Sequence, residues 1–164
     1  MFGIKWILGA ALLLPLLVYG GAFASGDEFG RGVALYWAGE HEEAQEVLRP
    51  LAEQGHADAA FLLADIFHQG RSGVLQDYAE AARWYRRAAE TGDTLAQSVL
   101  SDVYGYDMGD PIRAHMWANI ATANGYEAGA EVRDYWAQQM TPEQIAEAQR
   151  RAHDCLESNY TECD

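Results

Sequence analysis

The chain has 164 residues, enough for one domain with its own hydrophobic core. It carries 25 acidic residues against 11 lysines and arginines, a formal charge of −14 at pH 7. This balance argues against a role in binding nucleic acid or anionic lipid headgroups. It allows attraction to a basic partner, although a merely well-solvated surface has the same composition.

The N-terminal 24 residues have the organisation of a secretory signal peptide. A short start containing Lys5 is followed by an apolar, uncharged run that ends at Tyr19. Ala22-Phe23-Ala24 then supplies the small–x–small pattern that a signal peptidase reads. We predict cleavage after Ala24 and a periplasmic or secreted mature chain. The alternative is an uncleaved membrane anchor, although the apolar run is barely long enough to span a bilayer.

The remainder of the chain repeats itself. Two segments match at a constant offset, through the pairs Asp77/Asp110, Ala81/Ala114, Trp84/Trp117, Ala88/Ala121 and Gly92/Gly125. An earlier copy runs from Ala44 to Gly55, and a second apolar stripe precedes each of the copies. Each stripe has apolar residues at i, i+3, i+4 and i+7, which is the spacing of one helix face. The repeat unit is therefore predicted to be a pair of helices.

The pattern predicts eight helices and no strand. In chain order they cover about residues 27–38, 41–54, 57–69, 77–91, 94–105, 110–124, 127–139 and 142–158. Asp77 is predicted to cap the fourth helix, with Glu80 completing a capping box, and Asp110 stands before a proline at the first helical position. The glycines predicted to end second helices with a positive φ are Gly55, Gly92 and Gly125.

Residues 127–164 are predicted to form a C-terminal cap. The last helix begins with Thr141 as N-cap, Pro142 at the first helical position and Gln144 at the third. It is rich in polar residues, as the solvated outer face of a terminal repeat requires.

The two cysteines of the chain are Cys155 and Cys163. An even number of cysteines in an exported chain predicts a disulfide, which would tie the tail to the last helix. A catalytic redox pair usually has only two residues between its cysteines, so these two are predicted to be a structural bridge.

The second repeat resembles a known family. The residues that carry the resemblance are Ala59-Ala60-Phe61-Leu62-Leu63-Ala64, Phe67, Gly70, Gly73-Val74, Asp77, Ala81, Trp84-Tyr85, Ala88-Ala89, Gly92-Asp93 and Ala96. They resemble a Sel1-like repeat, a branch of the tetratricopeptide superfamily. The repeat at 94–125 departs from the family pattern, because Tyr106–Gly109 replaces the usual turn and is shorter. The repeat at 27–55 also lacks that turn.

The resemblance implies an all-α fold, a right-handed α-solenoid of antiparallel helix pairs. Within residues 25–126 it implies three repeats, at about 27–55, 57–92 and 94–125. It also implies a non-enzymatic adaptor or scaffold for protein–protein interaction, which the signal peptide would place in the bacterial cell envelope. Other hypotheses are a membrane-anchored organiser of an envelope complex and, with less support, a small cell-wall hydrolase.

Chemical motifs are absent from the sequence. None of the five histidines forms a metal-ligand or catalytic pairing, and no nucleophile elbow, phosphate-binding loop or dinucleotide fingerprint is present. We therefore predict no catalytic residue, no metal site and no cofactor.

The predicted binding site is the face formed by the first helix of each pair. In this register Leu63, Phe67, Leu100 and Tyr104 point into the core. The residues predicted to contact a partner are Leu62, Asp65, Val99 and Asp102. An apolar floor with acidic neighbours suits a protein or peptide that bears arginine or lysine. The alternative is that Leu62, Ile66 and Val99 pack against the adjacent repeat.

Overall fold

The computed structural model describes residues 25–163, which form eight α-helices and one π-helical segment. The helices are α1 Ser25–Ala38, α2 His41–Glu53, α3 Ala57–Gln69, α4 Tyr78–Ala89, α5 Thr94–Asp102, α6 Pro111–Ala123, α7 Gly129–Ala137 and α8 Pro142–Glu157, and the π-helical segment is Val103–Asp107. The predicted signal peptide lies outside the described residues. Within residues 25–163 there is no strand, and no helix is both long and apolar enough to cross a membrane.

Side-chain caps define where the helices begin. Asp77 and Asp110 accept hydrogen bonds from the backbone N–H of Glu80 at 2.9 Å and of Arg113 at 3.0 Å, as predicted. Thr141 and Gln144 form the reciprocal capping box, in which the Thr141 N–H donates to the Gln144 side chain at 2.9 Å.

The capping box predicted at Asp77 was wrong in its second half. The Glu80 carboxylate accepts hydrogen bonds from Arg83 Nε at 2.8 Å and from Trp84 Nε1 at 2.8 Å, and it lies 3.6 Å from a guanidinium nitrogen of Arg49. A charged guanidinium is a stronger donor than the backbone N–H of the N-cap. Glu80 therefore joins α4 to α2 instead of closing its own helix end.

Small and large residues alternate in the core. Alanines that are buried at the helix contacts let consecutive helices approach closely, and Trp84, Tyr85 and Trp117 are each at most 1% exposed between them. The inward orientation predicted for Leu63, Leu100 and Tyr104 is confirmed, whereas Phe67 is half-buried. Gly55, Gly92 and Gly125 have φ near +90°, as their positions at the helix ends predicted.

The predicted regular helix over 94–105 was wrong at its C-terminal end. The α-helix stops at Asp102, and the chain continues as a π-helical turn from Val103 to Asp107. A π-helical turn widens the helix by one residue and changes the direction of the side chains that follow. This turn lies where the sequence departs from the pattern of the repeat before it.

The C-terminal cap is attached to α6. Both α7 and α8 pack against that helix, and Cys155 and Cys163 form the predicted disulfide. The Asn124 side chain, at the end of α6, donates to the Tyr160 hydroxyl at 2.8 Å and to Gln97 at 2.9 Å. One amide therefore links α5, α6 and the C-terminal tail.

We expect Trp84→Ala to lower the free energy of unfolding by about 3–5 kcal/mol, because a wholly buried indole is lost and a cavity remains. Trp37→Ala is the matched control, since Trp37 is 77% exposed, and it should change stability by less than about 0.5 kcal/mol. Denaturant unfolding followed by circular dichroism measures both. Equal losses in the two variants would contradict the assignment of Trp84 to the core.

Candidate partner-binding face

The first helices of successive pairs stand side by side. The Tyr36 hydroxyl of α1 donates to Asp65 Oδ2 of α3 at 2.5 Å. His68 Nε2 of α3 lies 2.8 Å from Asp107 Oδ2 of the π-helical segment. We use the name first-helix face for the surface made by α1, α3, α5, the π-helical segment and α7.

The four residues predicted to contact a partner all lie on these helices, with different exposure. Leu62 and Val99 are half-buried and pack against the hydrophobic core, Asp65 is half-buried, and Asp102 is exposed. Ile66 is wholly buried, in agreement with the alternative that part of this stripe packs internally. None of the described hydrogen bonds or ion pairs joins Asp65 to Asp102.

Asp65 is the centre of a hydrogen-bond network that joins three helices. Its carboxylate accepts from the Tyr36 hydroxyl of α1, from the Tyr85 hydroxyl of α4 at 3.3 Å and from the Gln69 side chain. Burial and the hydrogen bond to Asp65 raise the pKa of Tyr36 to about 12. Burial and the charge of Asp65 likewise raise the pKa of Tyr85. The sequence placed Asp65 on the correct face. It did not reveal that the carboxylate oxygens of Asp65 accept hydrogen bonds from two neighbouring helices.

Asp102 has no such partners. It is exposed, and no basic group within residues 25–163 forms an ion pair with it. Desolvation raises the pKa of its carboxyl, and the negative charge of Asp107 raises it further. A cation that approached Asp102 would therefore relieve an unfavourable interaction already present in the free protein.

Three aromatic rings meet beside Asp102. The ring centroids lie 4.7 Å apart for Tyr106 and Trp136, 4.9 Å for Tyr135 and Trp136, and 5.9 Å for Tyr106 and Tyr135. Trp136 is buried at 4% exposure, whereas Tyr106 is 63% and Tyr135 44% exposed. We call these three residues the aromatic cluster. Sequence reasoning missed it, although the adjacent aromatics Tyr135 and Trp136 of α7 were a visible signal.

Gly105 makes room for the cluster. A Cβ at this position would lie 2.0 Å from Cζ2 and 2.2 Å from Cη2 of Trp136, closer than any real contact. The indole therefore rests directly on the backbone of the π-helical turn. The turn carries Tyr106 to the surface against the Trp136 ring, while Asp107 faces His68 of α3.

In the described part of the chain, neither a small-molecule pocket nor a metal site coincides with the four predicted residues. A depression of about 400 Å³ is lined by α1 and α2 residues, among them Glu28, Arg31 and Pro50, and by none of the four predicted residues. Residues 25–163 contain no group of three or more histidine, cysteine, aspartate or glutamate side chains arranged to hold a metal ion.

Comparison with known proteins identifies the repeats in the middle of the chain. The Sel1 repeat model matches residues 57–93 and 95–126 of the chain. These spans coincide with the helix pairs α3–α4 and α5–α6. The chain therefore contains two Sel1 repeats within an all-helical, α-solenoid fold. Repeats of this kind generally mediate protein–protein binding.

Two similar proteins illustrate the range of the class. The "exopolysaccharide production negative regulator" of Rhizobium leguminosarum bv. viciae is 39% identical over 66 residues, which cover 40% of this chain and 24% of that protein. A protective antigen present in uropathogenic Escherichia coli strains, whose crystal structure displays an SLR fold, is 30% identical with a TM-score of 0.70. That likeness covers 83% of this chain and 30% of the antigen chain. The chain thus spans less than a third of either relative.

We expect Gly105→Ala to lower the free energy of unfolding by about 1–3 kcal/mol, because the new methyl group overpacks against the Trp136 indole. Gly30→Ala is the matched control. A Cβ at Gly30 meets nothing within 4 Å, so the same change in helix α1 should stabilise the protein by about 0.5–1 kcal/mol. Thermal or denaturant unfolding distinguishes the two signs. A stabilising Gly105→Ala would show that Trp136 does not rest on this turn.

Proposed function

We propose that the chain is an exported, non-enzymatic scaffold that binds a protein partner on its first-helix face in the bacterial cell envelope. The observation that carries the proposal is the chemistry of that face. Half-buried aliphatic side chains at Leu62 and Val99 lie on the same helices as the exposed, unpaired carboxylate of Asp102. An α-solenoid presents such a face as an extended surface for another chain.

The charge of the face favours a basic partner. The chain as a whole has a formal charge of −14, which steers cationic chains towards it over long distances. At short range, Asp102 and Asp107 repel each other. A lysine or arginine of the partner that paired with Asp102 would offset this repulsion.

The absence of enzymatic activity is part of the proposal. Sel1-like repeats are typically scaffolds, and the sequence carries no combination of nucleophile, base and orienting group. Several polar side chains of the first-helix face are instead engaged with one another. Asp65 is bound to Tyr36 and Tyr85, and His68 lies within hydrogen-bond distance of Asp107.

The envelope location rests on the N-terminal segment, with its short basic start, apolar run and Ala22-Phe23-Ala24 site. The Rhizobium relative is named for the regulation of exopolysaccharide production, which fits an envelope setting. A membrane-anchored organiser is the competing form of the proposal, and it differs only in the fate of this segment.

Mass spectrometry of the protein isolated from its native cells decides between these forms. We expect an N-terminus at Ser25 and recovery in the periplasmic or secreted fraction. An intact N-terminus in the membrane fraction would replace the soluble form of the proposal with the anchored one. Recovery in the cytoplasm with an intact N-terminus would overturn the envelope location.

The binding face is tested by affinity capture from the native periplasm with the mature chain as bait. We expect a partner to be recovered by the wild type and lost from a Leu62→Ala, Val99→Ala, Asp102→Asn triple variant. Asp65→Asn belongs in a separate variant, because the Asp65 carboxylate holds Tyr36 and Tyr85 and its loss weakens the fold.

The matched control also carries one Leu→Ala, one Val→Ala and one Asp→Asn substitution, but at positions outside the first helices. It combines Val74→Ala and Leu75→Ala, in the connection between α3 and α4, with Asp154→Asn on α8. The control should retain the partner. Retention by the triple variant, with both proteins folded by circular dichroism, would move the binding site to another surface.

A further inference from the structure

The aromatic cluster presents two tyrosine rings to solvent beside an unpaired carboxylate. Tyr106 follows Asp102 by four residues, one turn further along the same helical rod, and the charge of Asp102 contributes to raising the pKa of the Tyr106 phenol. The largest cause of that raised pKa is the side chain of Tyr135, which lies beside the Tyr106 phenol. The two tyrosine rings contact each other, and each also contacts the buried Trp136 indole.

The cluster is more exposed than core packing requires. Trp136 alone fills the space over Gly105, yet Tyr106 and Tyr135 add two rings that remain 63% and 44% exposed. Exposed aromatics that are held in place by neighbours lose little conformational entropy when they bind. Such rings are suited to bind a complementary group of another molecule.

The charges around the cluster favour a cationic group, because the one arginine of α7, Arg133, is paired with Asp134 at 2.7 Å. The stretch from Thr94 to Asp110 contains three aspartates and no lysine, arginine or histidine. Asp107 already has a partner in His68, whereas Asp102 has none. The faces of aromatic rings carry negative potential and attract cations, and a carboxylate at the rim adds to this attraction.

We propose that Tyr106, Tyr135 and Asp102 form a receptor for one arginine or lysine side chain of the protein partner. This inference rests on the proposed function and names the anchor of the partner on the first-helix face. The aliphatic stem and cationic head of the side chain lie against the two tyrosine rings, and the head reaches the Asp102 carboxylate. Arginine fits best, because its planar guanidinium stacks on a ring while it donates to a carboxylate.

Its test uses a hexa-arginine peptide as the probe and the mature chain as the receptor. Two-dimensional NMR follows the titration, with the Trp136 indole N–H and the Tyr106 amide as local reporters. We expect saturable shifts at both signals and weaker binding at higher salt. A hexa-glutamate peptide should produce no saturable shift.

Variants separate recognition by the rings from general attraction between opposite charges. We expect Tyr106→Ala and Asp102→Asn each to weaken binding of the peptide by about three- to tenfold. Tyr106→Phe keeps the ring and should retain most of the affinity. Trp37→Ala removes an equally accessible ring outside the cluster, since Trp37 is 77% exposed, and should leave the affinity within about twofold of the wild type.

Three results would overturn the inference. One is the absence of saturable binding; another is a loss with Asp102→Asn but none with Tyr106→Ala, which would indicate charge attraction alone. The third is a higher affinity for an uncharged, phenylalanine-rich peptide than for hexa-arginine. That result would mean that the cluster binds apolar groups and not cations. The proposed function would still stand after any of these results if affinity capture recovered a partner whose binding depends on Leu62 and Val99.

Discussion

The structure depends on how closely the helices of each pair approach. Alanines that are fully buried at the contacts, such as Ala44, Ala60 and Ala88, allow this approach because they leave no side chain to separate the backbones. Large rings then fill the spaces that remain, and Trp84 and Trp117 have no exposed surface. A core of this kind resists both enlargement and truncation, since either change alters the distance between helices. The first-helix face rests on these contacts and adds a few of its own, such as the hydrogen bond from Tyr36 to Asp65.

Charge is divided between the two sides of the helix layer. Arginines gather around the second helices, where the guanidinium carbons of Arg83, Arg87 and Arg49 lie 4.3, 5.0 and 5.9 Å from the centre of a Trp84 ring. The first-helix face instead carries Asp65, Asp102 and Asp107. Arg49 and Arg83 also pair with Glu80. Arg31 on α1 and Arg133 on α7 pair instead with their neighbours Glu28 and Asp134. This division leaves the acidic character concentrated where the proposed partner binds.

Local chemistry explains why most of the fold could be predicted from the sequence. Helix α6, predicted over 110–124, covers Pro111–Ala123, because the cap at Asp110 and the glycine at Gly125 are both local signals. The π-helical turn could not be predicted, since it depends on Gly105 accepting Trp136 from a helix far along the chain. The candidate site has the same limit. The helical periodicity placed four side chains on one face, but the packing of other helices determines how exposed each of them is.

Asp65 and Asp102 show how one residue type at equivalent repeat positions acquires different roles. When the repeats are aligned through Leu63/Leu100 and Trp84/Trp117, Asp102 corresponds to Asp65. This alignment pairs Tyr85 with Ala118, and alignment of the first repeat with the second through Val33/Ala64 pairs Tyr36 with Phe67. Phe67 and Ala118 thus stand where the two tyrosines that donate to Asp65 would be. Phenylalanine and alanine have no hydroxyl, so the carboxylate of Asp102 has no donors in the helices beside it. The repeat that loses the internal network is also the repeat whose π-helical turn exposes Tyr106. The loss of internal hydrogen bonds and the gain of exposed rings therefore occur together, which favours recognition over stability as the reason for both.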